Sequence, residues 1–150
     1  MKMKQKTIWM RYLFFGVFSI FILTINIACT EDSEYIVKAD FIYFNDTNYV
    51  IELISSAKIN PNSSLKISFE GEGSKTTDHN SYVPPYPFGD GTVIKYDDIK
   101  CDFLNPGTKA GRGEGPSGIQ NYEFKKISER YYEFTFRFTE ADFEQAENCN

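Results

Sequence analysis

Alternating aromatic and polar residues near the end of this 150-residue chain restrict its fold more than any other feature. Four aromatic residues occupy every second position, namely Tyr132, Phe134, Phe136 and Phe138. Side chains that repeat every two residues share one face of a β-strand, whereas a helix would spread them around its axis. Because each such ring can bury about 150–250 Å², the pattern predicts a strand that lines the core.

The rest of the chain beyond residue 34 is also typical of an all-β domain. Short runs rich in β-branched and aromatic residues are separated by turn-forming clusters. The candidate strands are 35–44, 49–54, 65–70, 92–96, 101–104, 119–127 and 131–138. About seven strands in about 115 residues predict an immunoglobulin-like β-sandwich, with an open barrel as the alternative. We expect one hairpin between the first two strands and another between the last two.

A short helix of two turns, ending near Asn148, is expected after the last strand. Thr139 can cap it, and Glu140 and Asp142 would place negative charge at its N-terminus, where the helix dipole favours an anion. Phe143 would then pack back on the sheet.

The N-terminus has the layout of a secretory signal peptide. Three lysines and Arg11 precede an apolar run over residues 12–25, and small residues follow. This run is shorter than the ~20 residues that a membrane-spanning helix needs. We therefore expect residues 1–28 to be cleaved, with an uncleaved anchor as the alternative.

The residues after this run carry a resemblance to bacterial lipoproteins. The segment Asn26-Ile27-Ala28-Cys29 resembles a relaxed lipobox of the kind found in Bacteroidota, and the three acids within residues 30–34 resemble the export signal of their surface lipoproteins. The C-terminal pattern, from Tyr132 through Phe143, is similar to that of small Bacteroidota lipoproteins of unassigned function. The resemblance implies a lipid on Cys29, an acidic tether over 29–34, one domain over 35–150 and an outer-membrane location at the cell surface. A periplasm-facing lipoprotein with a solvated acidic linker is the alternative.

Lipidation of Cys29 would also account for the odd number of cysteines, which is three. The two that remain, Cys101 and Cys149, would reach a compartment that permits oxidation. We therefore expect them to form a disulfide, worth about 4 kcal/mol in the chain-entropy account. Two unpaired thiols in a reducing setting are the alternative.

The charge of the chain argues against nucleic-acid binding. Removal of the signal would leave 12 basic residues against 21 acidic ones, because four basic residues and no acids lie in residues 1–28. Binding to phosphate backbones requires clustered positive charge. We therefore expect no nucleic-acid partner.

The sequence contains no constellation that predicts catalysis, a metal or a cofactor. His79 lies between Asp78 and Ser81 in a long polar stretch, but adjacent residues rarely form a hydrolytic triad, so we expect an exposed loop histidine. The glycine-rich segment 109–115, within a long loop over 105–118, lacks the Gly-Lys-Ser/Thr ending of a phosphate loop and is expected to be a flexible connection. Asp90 and the pair at 97–98 are too few oxygen ligands to predict a calcium site.

The best candidate for ligand binding is the proline-rich segment 81–88. Its rings, Tyr82, Tyr86 and Phe88, lie in a backbone that proline makes stiff and extended. Exposed aromatic rings on such loops suit stacking on a glycan or burial in a protein partner. The alternative is that the rings cap an open end of the sandwich.

These features favour a membrane-anchored, non-enzymatic binding or adhesion module with a glycan or protein ligand. A small glycan-processing hydrolase, or an accessory to one, is the main alternative, since two carboxylates in one pocket would suffice for glycoside hydrolysis. An inhibitor or immunity lipoprotein is a third possibility.

Overall fold

Two β-sheets face each other across an aromatic core in the computed structural model, which describes residues 35–53, 57–85, 93–105 and 107–149. Nine strands lie in these ranges: β1 (Tyr35–Asn45), β2 (Ile51–Leu53), β3 (Lys58–Ile59), β4 (Ser63–Gly73), β5 (Val93–Tyr96), β6 (Lys100–Phe103), β7 (Glu123–Ser128), β8 (Tyr131–Phe138) and β9 (Glu147–Asn148). One helix, α1 (Glu140–Gln145), separates the last two strands. The all-β sandwich with a short C-terminal helix is thus confirmed, and the described strands exceed the expected seven by two very short ones, β3 and β9.

The strands divide into a long sheet and a short sheet. The long sheet has the order β4-β1-β8-β7 and the short sheet the order β3-β2-β5-β6-β9 in the described part of the chain. In the long sheet, β1 pairs antiparallel with β4 and parallel with β8, so that the first and last long strands lie side by side at its centre.

The predicted alternation in β8 is confirmed. Tyr132, Phe134 and Phe138 are buried, and the ring of Phe134 stacks on Phe41 of β1 with 5.0 Å between ring centroids. The short sheet faces these rings with apolar residues of β2 and β5, namely Ile51, Leu53, Ile94 and Tyr96. The core is therefore aromatic on one side and largely aliphatic on the other.

Two hairpins are predicted from the sequence, and the prediction is wrong for one of them. The last two strands do pair, as β7 with β8, although residues 119–121 form a 3-10 turn instead of the start of β7. The expected hairpin between 35–44 and 49–54 does not form, because β1 and β2 belong to different sheets. A turn cluster separates these strands in the sequence, but it leads the chain from one layer to the other.

That crossover is fixed by the buried side chain of Asn45. Its amide donates hydrogen bonds to the carbonyl oxygens of Tyr49 and Ile59, both at 2.8 Å, and its oxygen accepts one from the Thr47 hydroxyl at 2.7 Å. Buried polar groups are stable only when they are hydrogen-bonded. Asn45 therefore connects the end of β1 to the short sheet.

The C-terminal helix begins where the sequence predicts but ends at Gln145, before the expected end near Asn148, because residues 147–148 pair with β6 as β9. The Asp142 carboxylate accepts hydrogen bonds from the backbone N–H and the hydroxyl of Thr139, at 2.6 and 2.7 Å, which closes the first turn of α1. Phe143 stacks on Tyr49 at 3.8 Å. The expected Cys101–Cys149 disulfide is present, with a Cα–Cα distance of 5.1 Å, and it lies beside the pairing of β6 with β9.

Candidate binding site

The glycine-rich connection is a folded loop. Two 3-10 turns, Gly115–Ser117 and Ile119–Asn121, follow one another, and the Ile119 N–H donates a hydrogen bond to the Gly111 carbonyl at 2.8 Å. Gly118 is required where it stands, because a Cβ atom there would overlap the Gly113 carbonyl oxygen. The composition that suggests flexibility instead permits close approach of backbone segments.

This loop packs against the described part of the other long loop, residues 74–85. Gly111 has a φ of +69°, and a Cβ atom at this position would be 3.1 Å from the Val83 Cα. The Arg112 guanidinium donates a hydrogen bond to the Asn80 carbonyl at 3.1 Å. Two segments that lie about 30 residues apart in the chain thus form one surface.

A polar cleft of about 540 Å³ opens in this surface. Its side chains are Asn105, Arg112, Glu114, Gln120 and Asn121, and the backbone of three glycines completes the wall. The Gln120 amide nitrogen donates to the Gly113 carbonyl at 2.9 Å, and that of Asn121 donates to the Gly115 carbonyl at 2.8 Å. These bonds hold the two amides in place by their nitrogens, while the amide oxygens keep their capacity to accept hydrogen bonds.

An aromatic patch, made of His79 and Phe124, is joined to the cleft. The two rings stack at 3.7 Å between centroids and 13° between planes. Phe124 lies on the edge strand β7 and is 50% exposed. The side chain of Asn80, whose carbonyl receives the Arg112 bond, contacts the His79 ring nitrogen at 3.0 Å. Cleft and patch are therefore connected through Asn80.

Of the three predicted ligand-binding rings, Tyr82 lies in the described part of the chain. Tyr82 is only 5% exposed, and its hydroxyl donates a hydrogen bond to the Arg130 carbonyl at 2.9 Å. Burial raises its pKa. Its ring packs edge-on against Tyr132 at 5.6 Å and belongs to the core, as the capping alternative expects. Tyr86 and Phe88 lie outside the described residues, as does Cys29.

One acidic side chain, Asp102, has a raised pKa because of its surroundings. Asp102 of β6 is half-buried, and desolvation, together with the nearby charges of Asp142 and Glu114, raises the pKa of its carboxyl group. Of these three residues, Glu114 lines the cleft.

In the ranges that the structure describes, no group of three or more His, Cys, Asp or Glu side chains is placed to hold a metal ion. No helix among the described residues is both long and apolar enough to cross a bilayer.

Sequence reasoning misses most of this site. It identifies His79 only as an exposed loop residue, and it assigns Gln120 and Phe124 to one strand. The available signal is the position of two amides, Gln120 and Asn121, just after the glycine-rich segment, but their convergence depends on how the loop 105–121 folds back on itself. Comparison with protein-family models, with curated proteins and with solved structures finds no match to this chain.

Proposed function

We propose that this chain is a lipid-anchored, surface-displayed lipoprotein that binds a carbohydrate in the cleft and on the aromatic patch, without catalysing a reaction. The observation that carries the ligand assignment is the connection of a polar cleft to an exposed ring through Arg112 and Asn80. Sugars present hydroxyl groups around their edge and C–H groups on their faces. A site for them combines fixed hydrogen-bonding groups with an apolar ring surface.

The cleft supplies both kinds of polar group. The amide oxygens of Gln120 and Asn121 and the carboxylate of Glu114 accept hydrogen bonds, whereas the Arg112 guanidinium donates them. Their attachment to the loop backbone restricts their motion before a ligand arrives. Such pre-organisation lowers the entropic cost of binding.

The ligand assignment is tested with the full chain solubilised in detergent, on a glycan array and then by titration calorimetry with the best glycan. We expect Phe124→Ala to weaken binding about tenfold, which corresponds to ~1.4 kcal/mol, and Arg112→Ala to weaken it as well. Phe103→Ala is the matched control, because Phe103 is an exposed phenylalanine of β6, 64% accessible and outside the patch. Full affinity in the Phe124→Ala protein would show that the patch is not the site.

The anchor rests on the sequence resemblance at Cys29. Cys29→Ala is expected to abolish incorporation of labelled palmitate and to move the protein from the membrane to the soluble fraction. Protease added to intact cells tests the surface location, and it should digest the wild-type domain. A domain that is protected until the outer membrane is opened would instead face the periplasm.

A second candidate, a glycan-processing hydrolase, is favoured by one observation. A carboxyl group with a raised pKa, such as that of Asp102, is what a general acid requires, and Glu114 is a neighbouring carboxylate at the cleft. Incubation with the bound glycan, followed by mass spectrometry, separates the two functions. Fragments that disappear with Asp102→Asn would establish the hydrolase, and an intact glycan supports a binding protein.

A further inference from the structure

The outer edge of β4 is a long, open strand edge. β4 and β1 each have 11 residues and pair along their whole length, from Tyr35 opposite Gly73 to Asn45 opposite Ser63. No strand in the described ranges pairs with the other side of β4. Such an edge presents a row of backbone N–H and C=O groups that can pair with a further strand.

The sequence of β4 is complementary to itself about its middle residue, Ser68. When two copies are paired antiparallel around Ser68, Lys66 of each copy lies opposite Glu70 of the other. In the same register Ile67 lies opposite Phe69, also twice. Opposite charges and pairs of aromatic with β-branched residues are favourable cross-strand neighbours. Ser68 is also the midpoint of Ser63–Gly73, so every residue of the strand has a partner.

The charged groups are available for this pairing. On the outer face of the long sheet, Lys66 forms an ion pair with Asp40 and Glu70 forms one with Lys38, both at 2.8 Å. The side chains of Lys66 and Glu70 nevertheless remain 52% and 59% exposed. In the paired copies, Lys66 of one would stand between its own Asp40 and Glu70 of the other, so that charges of alternating sign would cross the junction.

The opposite face of β4 supplies apolar contacts. Phe69 shares this face with the core residue Ala39, its partner in β1, but is 44% exposed because β4 is at the edge. Its ring lies over Gly71, where a Cβ atom would be 2.7 Å from the ring. Pairing with Ile67 of a second copy would cover the exposed part of the ring.

We propose that this chain forms a two-fold symmetric dimer in which the β4 strands of two copies pair antiparallel about Ser68. The two long sheets then form one continuous sheet of eight strands. Both copies use the same surface, as a closed two-fold interface requires.

Cysteine cross-linking of the full chain in the membranes of cells that express it tests the register. Ser68→Cys places two thiols opposite each other across the two-fold axis, where paired Cα atoms are about 4.5–5.5 Å apart, and we expect an oxidised dimer. Ser64→Cys is the control, since the two thiols would be about 27 Å apart at eight strand residues. Wild-type chain gives the background from its own three cysteines.

A second measurement does not depend on the Ser68 hydroxyl, which bonds to Asp40. Cells that express Ser64→Cys and Glu72→Cys chains together should yield a mixed disulfide, because these positions are opposite in the proposed register. The proposed dimer would be overturned if Ser64→Cys alone cross-links as efficiently as the mixture of Ser64→Cys and Glu72→Cys. It would also be overturned if neither this mixture nor Ser68→Cys cross-links above background.

Charge reversal tests the interface without cysteines. Glu70→Lys would replace both cross-strand pairs of opposite charge by pairs of like charge, because the new lysine of each copy faces Lys66 of the other. We expect the dissociation constant of the dimer, measured by sedimentation, to increase about tenfold. Glu72→Lys makes the same change of charge opposite Ser64 and should have a smaller effect. Identical sedimentation of wild type and Glu70→Lys would contradict the proposed register.

Discussion

The long sheet and the short sheet enclose the same core, but they are held together in different ways. The described strands of the long sheet have 6 to 11 residues, and those of the short sheet have two to four. Long strands form many hydrogen bonds and bury a row of side chains each, whereas a strand of two residues contributes little by itself. The short sheet carries the Cys101–Cys149 disulfide and receives the Asn45 amide from the long sheet. The comparison indicates that the short sheet depends on these two connections.

The largest effect is expected from removal of the disulfide. Replacement of Cys101 and Cys149 together by serine should lower the free energy of unfolding by about 4 kcal/mol, because it releases a 48-residue constraint on the unfolded chain. Denaturant titration measures the loss. Hydrogen exchange should rise first in β6, β9 and α1, while β1 and β8 stay protected. A uniform rise through both sheets would refute the proposed difference between them.

The next effect concerns the connection between the sheets. Asn45→Ala removes the amide that donates to the Tyr49 and Ile59 carbonyls and the oxygen that accepts from the Thr47 hydroxyl, so we expect a loss of about 3 kcal/mol. Asn48→Ala is the control, because its amide bonds to Glu140 at an exposed position and should cost about 0.5 kcal/mol. Equal losses in thermal denaturation would mean that Asn45 does not connect the layers.

A smaller, pH-dependent effect is expected on the outer face of the long sheet. Burial raises the pKa of Asp40, but hydrogen bonds from Lys66, Ser68 and Tyr131 outweigh it and lower the pKa from 3.8 to about 2. The unfolded state therefore binds a proton more readily, and the stability that Asp40 contributes is complete above pH 3.8 and lost as the pH falls through about 2.

This effect is measured as the denaturation midpoint between about pH 5 and pH 1, the range over which the carboxyl group changes its charge in the unfolded and folded states. Asp40→Asn should reduce the change of the denaturation midpoint with pH in this acid range. Asp46→Asn, which removes an exposed ion pair with Arg137, should leave this pH dependence unchanged. An unchanged slope in Asp40→Asn would show that the charge of this carboxyl group is not linked to folding.

The smallest effect on stability is expected in the cleft. Gln120→Ala should change the free energy of unfolding by about 0.5 kcal/mol or less, since this exposed residue belongs to neither sheet. Glycan affinity should nevertheless fall. A large loss of stability with unchanged affinity would identify Gln120 as a structural residue of the loop.

Part of the long sheet can be predicted from the sequence, because β4 and β8 alternate between apolar and polar residues. β8 begins and ends at the residues that the aromatic pattern predicts, and α1 begins directly after its predicted cap, Thr139. The short sheet is predicted less well. Its strands are too short for a clear period, and a turn cluster such as 45–48 does not show whether the strands on either side pair.

The candidate site cannot be predicted from the sequence in the same way. Tyr82 is expected at a surface and is buried, because an aromatic ring on a loop can pack inward as readily as outward. Arg112 and Asn80 are 32 residues apart, and no local pattern reports their hydrogen bond.

The sequence by itself determined the all-β class, the strand that lines the core and the start of the capped helix, because each depends on local periodicity or local capping, and it limited the cysteine pairing to a small number of partners. Only the tertiary structure decided which strands are neighbours, where the chain crosses between sheets, and that a polar cleft joins an aromatic patch. These features depend on contacts between distant segments, whose free energy is set by packing and hydrogen bonding in three dimensions.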